Sequence, residues 1–286
     1  MAVGVQTISR VLLGEALKQL RSEAGVTLDA AAKEIGKDRP RLVKVLDGKA
    51  TLSTEELEKL VDFFGAQDPA RAEILTLGIE ARKRATAGPY LDLAPDSFRR
   101  IAWLEAMAKD IWTYESGIIP MFLQSPDYID AVLRTGEDIW WEGVRADRVA
   151  FRMERQRRVL EADTPKRVEV ILTEASLSVM VGNPEVMHGQ LKYMLAMLDR
   201  FPGLKVRVVP TATAGNPAPV GGLIMLRFGE VLRPVGFLPV AYGPSVYFDE
   251  VEDTERILRA FTRLRDLALS SEDTRVFLEK KLKESK

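Results

Sequence analysis

The sequence predicts a mainly α N-terminal domain followed by a larger α+β domain. Two observations carry this. Over the first ninety residues, apolar positions recur at helical spacing between short breaks marked by Gly, Asp or Ser. Further on, the period switches to alternation at Val168, Val170 and Leu172, and strand-like runs then interleave with long helical patterns. A chain of 286 residues with 46% hydrophobic residues can build one large core or two ordinary ones. The stretch ATAGPYLDLAP, with Gly88-Pro89 at its centre, favours two: residues 1–85, a linker at 86–95, and residues 96–286.

Each helix of the first domain has a local reason. Leu12, Leu13, Ala16, Leu17, Leu20 and Ala24 line a first helix, stopped by Gly25. Thr27 caps a second, which ends at Gly36. A short third helix spans about Pro40 to Asp47, with Pro40 in its first turn and Gly48 just past its end. Ser53 introduces a fourth through Leu57, Leu60, Val61 and Phe64, and a fifth follows Asp68-Pro69. Two short helices joined by a tight turn within a helical domain meet the geometry of a helix-turn-helix.

Composition removes several function classes. Basic and acidic residues number 41 and 42, a formal net charge of −1, which excludes a broadly basic nucleic-acid coat and leaves room for a locally basic reading element. Such an element is present: Lys37, Arg39, Arg41, Lys44 and Lys49 stand against Asp38 and Asp47, a net of +3 over 37–49. With no cysteine and one histidine, His188, disulfides, thiolate or multi-histidine metal sites and cysteine nucleophiles are excluded. No metal and no cofactor is expected. The absence of a long apolar run and of a leader pattern predicts a soluble cytoplasmic chain without a membrane partner.

Residues 12–65 resemble the lambda-repressor/Xre-type helix-turn-helix domain. The matching residues are Leu20-Arg21, Gly25-Val26-Thr27, Ala31-Ala32-Lys33-Glu34-Ile35-Gly36, Leu42, Val45 and Gly48. The chain departs from the pattern at Leu28, where the family commonly has glutamine, at Leu46, where it commonly has glutamate, and at Pro40. The resemblance implies double-stranded DNA as a partner and a homodimer on two half-sites. Arg39 and Arg41 would approach base edges, Lys37, Lys44 and Lys49 would meet phosphates, and Thr27 would sit beside them. The alternative is a solvated face of a purely structural bundle.

In the second domain, Phe98 to Ile111 suggest a helix that carries on through Trp112 and Tyr114. A turn at Gly117–Pro120 leads to a short helix around Tyr128, and an arginine-crowded helix runs from about Glu142 to Leu160. Strands are expected at 168–172, 206–209, 223–228, 237–242 and 245–248, with helices at 185–200, 252–269 and 274–282. YESGIIPMFLQSPDYIDAVL (114–133), RMERQRRVL (152–160), LTEASL (172–177), Val206–Pro210, Gly222–Phe228 and Tyr247 are similar to the C-terminal domain of Xre-type regulators of the DUF5753 type, also described as Scr1-family antitoxin-like. Met121-Phe122 stands where that domain usually has Gly-Leu. This resemblance implies a transcriptional regulator with dimerisation and a sensing input, from a small protein partner or a small-molecule ligand.

No P-loop, dinucleotide fingerprint or nucleophile elbow is present, so no catalytic residue is assigned. Glu174, at an expected strand end, could pair with Arg152 or Arg155, bind an amine, or simply tie strand to helix. Gln124, Tyr128, Arg152, Gln156 and Tyr247 join it as ligand-site residues, with ordinary packing and turn hydrogen bonds as the alternative. His188 is either a proton donor or a surface residue. Trp103, Trp112, Trp140 and Trp141 form either an aromatic-walled cavity or core and interface packing. The rival to a regulator is a cofactor-free cyclase or isomerase, with Glu174 as its acid.

Overall fold

The computed structural model describes residues 7–68, 70–82, 90–92, 97–136, 144–229, 232–240 and 245–285. It divides into two compact units, residues 1–90 and 91–286, each with its own core.

Among its described residues the first unit has five helices: α1 (Ile8–Glu23), α2 (Leu28–Glu34), α3 (Arg39–Leu46), α4 (Thr54–Phe63) and α5 (Ala70–Arg82). The starts of α2 and α4 are those that Thr27 and Ser53 predict, and Asp38 caps α3. Thr27 accepts from the Ala30 amide at 3.2 Å, Asp38 from the Arg41 amide at 2.7 Å, and Ser53 and Glu56 form a reciprocal capping box. Pro40 lies in the first turn of α3, where a missing amide hydrogen costs nothing. Gly36, at φ +65°, turns the chain from α2 toward α3 in a conformation that a side chain would strain.

The core joins Leu12, Leu13 and Leu17 of α1 to Leu42 and Val45 of α3, Leu57, Leu60 and Val61 of α4, and Leu77 of α5. Gly14 lets α1 approach the end of α3: a Cβ there would stand 2.2 Å from the Leu46 carbonyl oxygen. Buried Leu46 closes this junction and is part of the core, so it has a packing role where the resembled pattern has glutamate.

The second unit is built on a mixed sheet in the order β1-β7-β6-β5-β2-β3-β4. The strands are β1 (Tyr90–Asp92), β2 (Asp110–Glu115), β3 (Arg167–Thr173), β4 (Leu204–Val209), β5 (Gly222–Arg227), β6 (Val235–Leu238) and β7 (Ser245–Phe248). Its helices are α6 (Ser97–Met107), α7 (Pro126–Thr135), α8 (Arg145–Leu160), α9 (Pro184–Arg200), α10 (Val251–Leu267) and α11 (Ser271–Glu284), with single 3-10 turns at Met121–Leu123 and Ala175–Leu177. β2, β3 and β4 are parallel and need helical crossovers, α7 and α8 for the first and α9 for the second. β5, β6 and β7 run antiparallel in sequence, with β5 alongside β2.

Two expectations fail here. Trp112 and Tyr114 do not continue a helix: α6 ends at Met107 and the chain restarts as β2. The run Ile-Trp-Thr-Tyr is β-branched and aromatic, which favours a pleated strand over a helix. The strand expected at 237–242 lies at 235–238.

Alternation sorts the sheet into two faces. Tyr114, Ile171, Val209 and Met225 pack on Phe261 and Leu264 of α10. Ile111, Val170, Leu172, Val206, Val208, Ile224 and Leu226 fall on the other register positions and are also buried. On the α10 side Glu169 of β3 takes a bidentate grip from Arg265, at 3.0 and 2.5 Å, and a further bond from Arg207 at 3.0 Å. The Arg265 guanidinium lies 4.7 Å from the Trp112 ring centre, so three strands and a helix are tied through one carboxylate and one indole. The outer edge of β4 is closed: the Leu269 amide donates to the Val208 carbonyl at 2.9 Å, and the Val208 amide donates to Thr274 Oγ1 at 3.2 Å.

Candidate functional site

The helix-turn-helix presents its basic residues on exposed positions. Arg39 and Arg41 occupy the first turn of α3, and Lys44 its last. Most of these cations are held by neighbours. Lys37 Nζ lies 2.7 Å from Glu56, Arg39 Nη1 3.5 Å from Asp29, and Lys49 Nζ 3.6 Å from Asp47. Arg41 donates to the Thr51 carbonyl at 3.2 Å. Among the described residues, Lys44 alone of these five makes no side-chain bond or ion pair. Such exposed pairs are worth about 0–1 kcal/mol each, little enough for a phosphate to displace them. Glu56 is held below the usual carboxylate range chiefly by its bond from Lys37, with help from the Ser53 amide. Thr27 is occupied as the cap of α2.

In the second unit, three of the residues proposed as a ligand site, Gln124, Tyr128 and Gln156, meet at one turn. Gln124 and Gln156 are buried and organise the turn 119–124. Gln124 Nε2 donates to the Ile119 carbonyl at 2.7 Å, and Gln156 Nε2 donates to the carbonyls of Phe122 and Gln124 at 3.0 and 3.1 Å. Tyr128, also buried, accepts from the Ile119 amide at 3.3 Å, and burial pushes its phenol above the usual value. Tyr247 packs against Phe237 with ring centres 4.9 Å apart. Gln156 Oε1 accepts from Tyr193 at 2.7 Å and borders a groove of about 330 Å³ between α8 and α9, lined also by Met153, Leu160 and Phe201.

Glu174 does not pair with Arg152 or Arg155. Its Oε2 accepts from the Thr211 amide at 3.0 Å, fixing the loop after β4. Arg155 instead grips Glu105 of α6 through two bonds, one of 2.7 Å, with both side chains buried. Periodicity hides this partner, because within a helix from Phe98 to Ile111 nothing local singles out Glu105. Arg152 is half-buried on the same helix as Arg155, and burial pushes its pKa down to about 10, helped by repulsion from Arg155 and Arg148. His188 Nδ1 lies 2.9 Å from Ser285 Oγ. Trp112 is core packing against Phe261, Trp103 is half-buried on α6, and Trp140 and Trp141 lie outside the described residues.

A strand-end carboxylate, Glu115, was not anticipated, since its strand was read as helix. It ends β2 where parallel and antiparallel pairing meet, opposite Gly222. Oε1 accepts from the amides of Ser116 and Gly117 at 3.0 and 3.2 Å. Burial raises its pKa, partly opposed by those two bonds. Gly222 leaves room for it: a Cβ there would stand 2.7 Å from Oε2. Ser116, Thr173 and Ser176 continue the network across to β3, with Thr173 Oγ1 donating to the Ser116 carbonyl at 3.1 Å. The C-terminal ends of parallel strands at such a reversal are where open sheets commonly receive ligands.

Among the described residues no group of three or more His, Asp or Glu could hold a metal, and no helix is long and apolar enough to cross a membrane. No curated protein and no solved structure matches the chain. Residues 12–74 match the family model of a helix-turn-helix domain. Residues 98–280, more than half of the chain, match that of a domain of unknown function, DUF5753. With that domain on its α/β unit and the helix-turn-helix on its helical one, the chain belongs to the DUF5753 family.

Proposed function

We propose that the protein is a sequence-specific DNA-binding transcriptional regulator whose second unit senses a ligand or a small partner protein. The observation that carries this reading is the α2–turn–α3 arrangement, matched by a helix-turn-helix family, with Arg39, Arg41 and Lys44 exposed on α3. In this mode the first turn of the second helix approaches base edges while flanking cations and amides meet phosphates. Lys37, Lys44 and Lys49 take the phosphate role, and their weak internal pairs exchange for phosphate as the protein docks. One such head covers few base pairs, so the functional species is a homodimer on two half-sites.

The second unit biases that equilibrium. A ligand or a small partner protein, as in an antitoxin-like pair of the Xre type, shifts the population between DNA-competent and incompetent states by its differential affinity for them. Fragmented genomic DNA captured by the purified protein and sequenced tests the first half of the proposal. A reproducible palindromic site, lost in an Arg39→Ala, Arg41→Ala double variant that remains folded, is the expected result. Capture that is unchanged in that variant, or absent from folded wild-type protein with and without its partner, overturns it.

A further inference from the structure

Arg148, Arg152 and Arg155 stand at i, i+4 and i+7 along α8 and so share one side of the helix. Their charges are compensated unequally. Arg155 is committed to Glu105 through two bonds inside the core. Arg152, one turn before it, is half-buried, yet among the described residues no carboxylate pairs with it and no group accepts a hydrogen bond from it. The turn that follows offers no relief, because the acceptor there, Gln156 Oε1, already takes the Tyr193 hydroxyl at 2.7 Å. Removing a charge from water without a partner is costly, and a guanidinium brings five donors in a rigid fork. The other arginines of the helix show the usual arrangement: Arg157 and Arg158 share Glu154, and Arg145 binds Asp130.

We infer that Arg152 anchors an anion site on α8 that takes a small molecule bearing a phosphate or a carboxylate. The fork of Arg152 matches two oxygens of such a group. Depression of the Arg152 pKa is consistent with a cation awaiting its counter-charge, and a bound oxyanion would reverse it. The inference names a ligand class for the sensing unit. It rests on the proposed regulatory function only for its consequence at DNA, since anion binding is measured without DNA.

Inorganic phosphate and citrate, titrated in separate arms into the full chain at matched ionic strength, test it by calorimetry and thermal melting. Saturable binding of one of them at a single site is expected, with phosphate or citrate in the productive arm telling phosphate from carboxylate. Arg152→Gln weakens it about tenfold or more, the loss of one charge-assisted contact, while Arg158→Gln leaves it unchanged. Arg152→Met raises Tm in the absence of the anion and removes the anion-dependent rise. Saturation by neither probe, equal affinity in Arg152→Gln, or a lowered anion-free Tm in Arg152→Met overturns the site. A chain that binds the anion but captures no DNA would instead leave the site standing and remove the regulator.

Discussion

Three carboxylates show how differently a single acid can be used. Glu105 is fully buried and compensated by Arg155, so Glu105→Gln strands a guanidinium in the core and should cost about 3–5 kcal/mol by urea unfolding. The paired change Glu105→Leu, Arg155→Met should recover most of that loss. A single variant as stable as wild type would show that the pair is not the core element described. Glu56 and Glu115 respond to pH in opposite senses. Because Lys37 and the Ser53 amide lower the Glu56 pKa, its stabilisation is complete above the ordinary carboxylate range and fades as pH falls through the lowered value. Burial raises that of Glu115, so over the interval above the ordinary value the native state keeps a proton that the unfolded chain releases, and stability declines as pH rises. Glu115→Gln should therefore melt higher than wild type at neutral pH and show a flatter slope in weak acid. A lower melting point at neutral pH would mean that the ionised form is being used.

Among the elements, the junction of α1 with α3 is the most constrained. Gly14→Ala pushes a methyl into the Leu46 carbonyl, which is backbone and cannot rotate away. The expected result is a loss of about 1–3 kcal/mol together with weakened DNA capture, since α3 must shift. Stability and capture both unchanged would place α1 further from α3 than described here. The helical unit was largely legible because its signals are local: Thr27, Asp38 and Ser53 each cap the helix they precede, and Gly36 breaks where a positive φ is needed. The strands of the second unit that alternate or run with valine were found for the same reason. β2 was missed because its neighbours in sequence are helical and its pairing partners, β3 and β5, lie more than fifty residues away. The site suffered similarly. Arg152 could be flagged from its crowded helix, but Glu105 as the partner of Arg155, and Thr211 as that of Glu174, depend on contacts that no local pattern encodes.

For the whole molecule, near-neutral charge means that DNA affinity must come from a few residues rather than a general field. Five cations on and beside α3 set a ceiling on the salt dependence. Log affinity should fall with log salt at a slope shallower than about −5 per head, and Lys44→Ala should reduce the slope by about one without changing site preference. A slope steeper than that ceiling would place phosphate contacts elsewhere on the chain. A different consequence follows from the seal on β4, where Leu269 and Thr274 take up both polar groups of Val208. A chain cut just after α10 would keep every strand and its α10 packing, yet bare a hydrogen-bonding margin of valines. Its failure would then be one of company rather than of cohesion: strand would add to strand between molecules, and precipitation that grows with concentration would precede any loss of secondary structure.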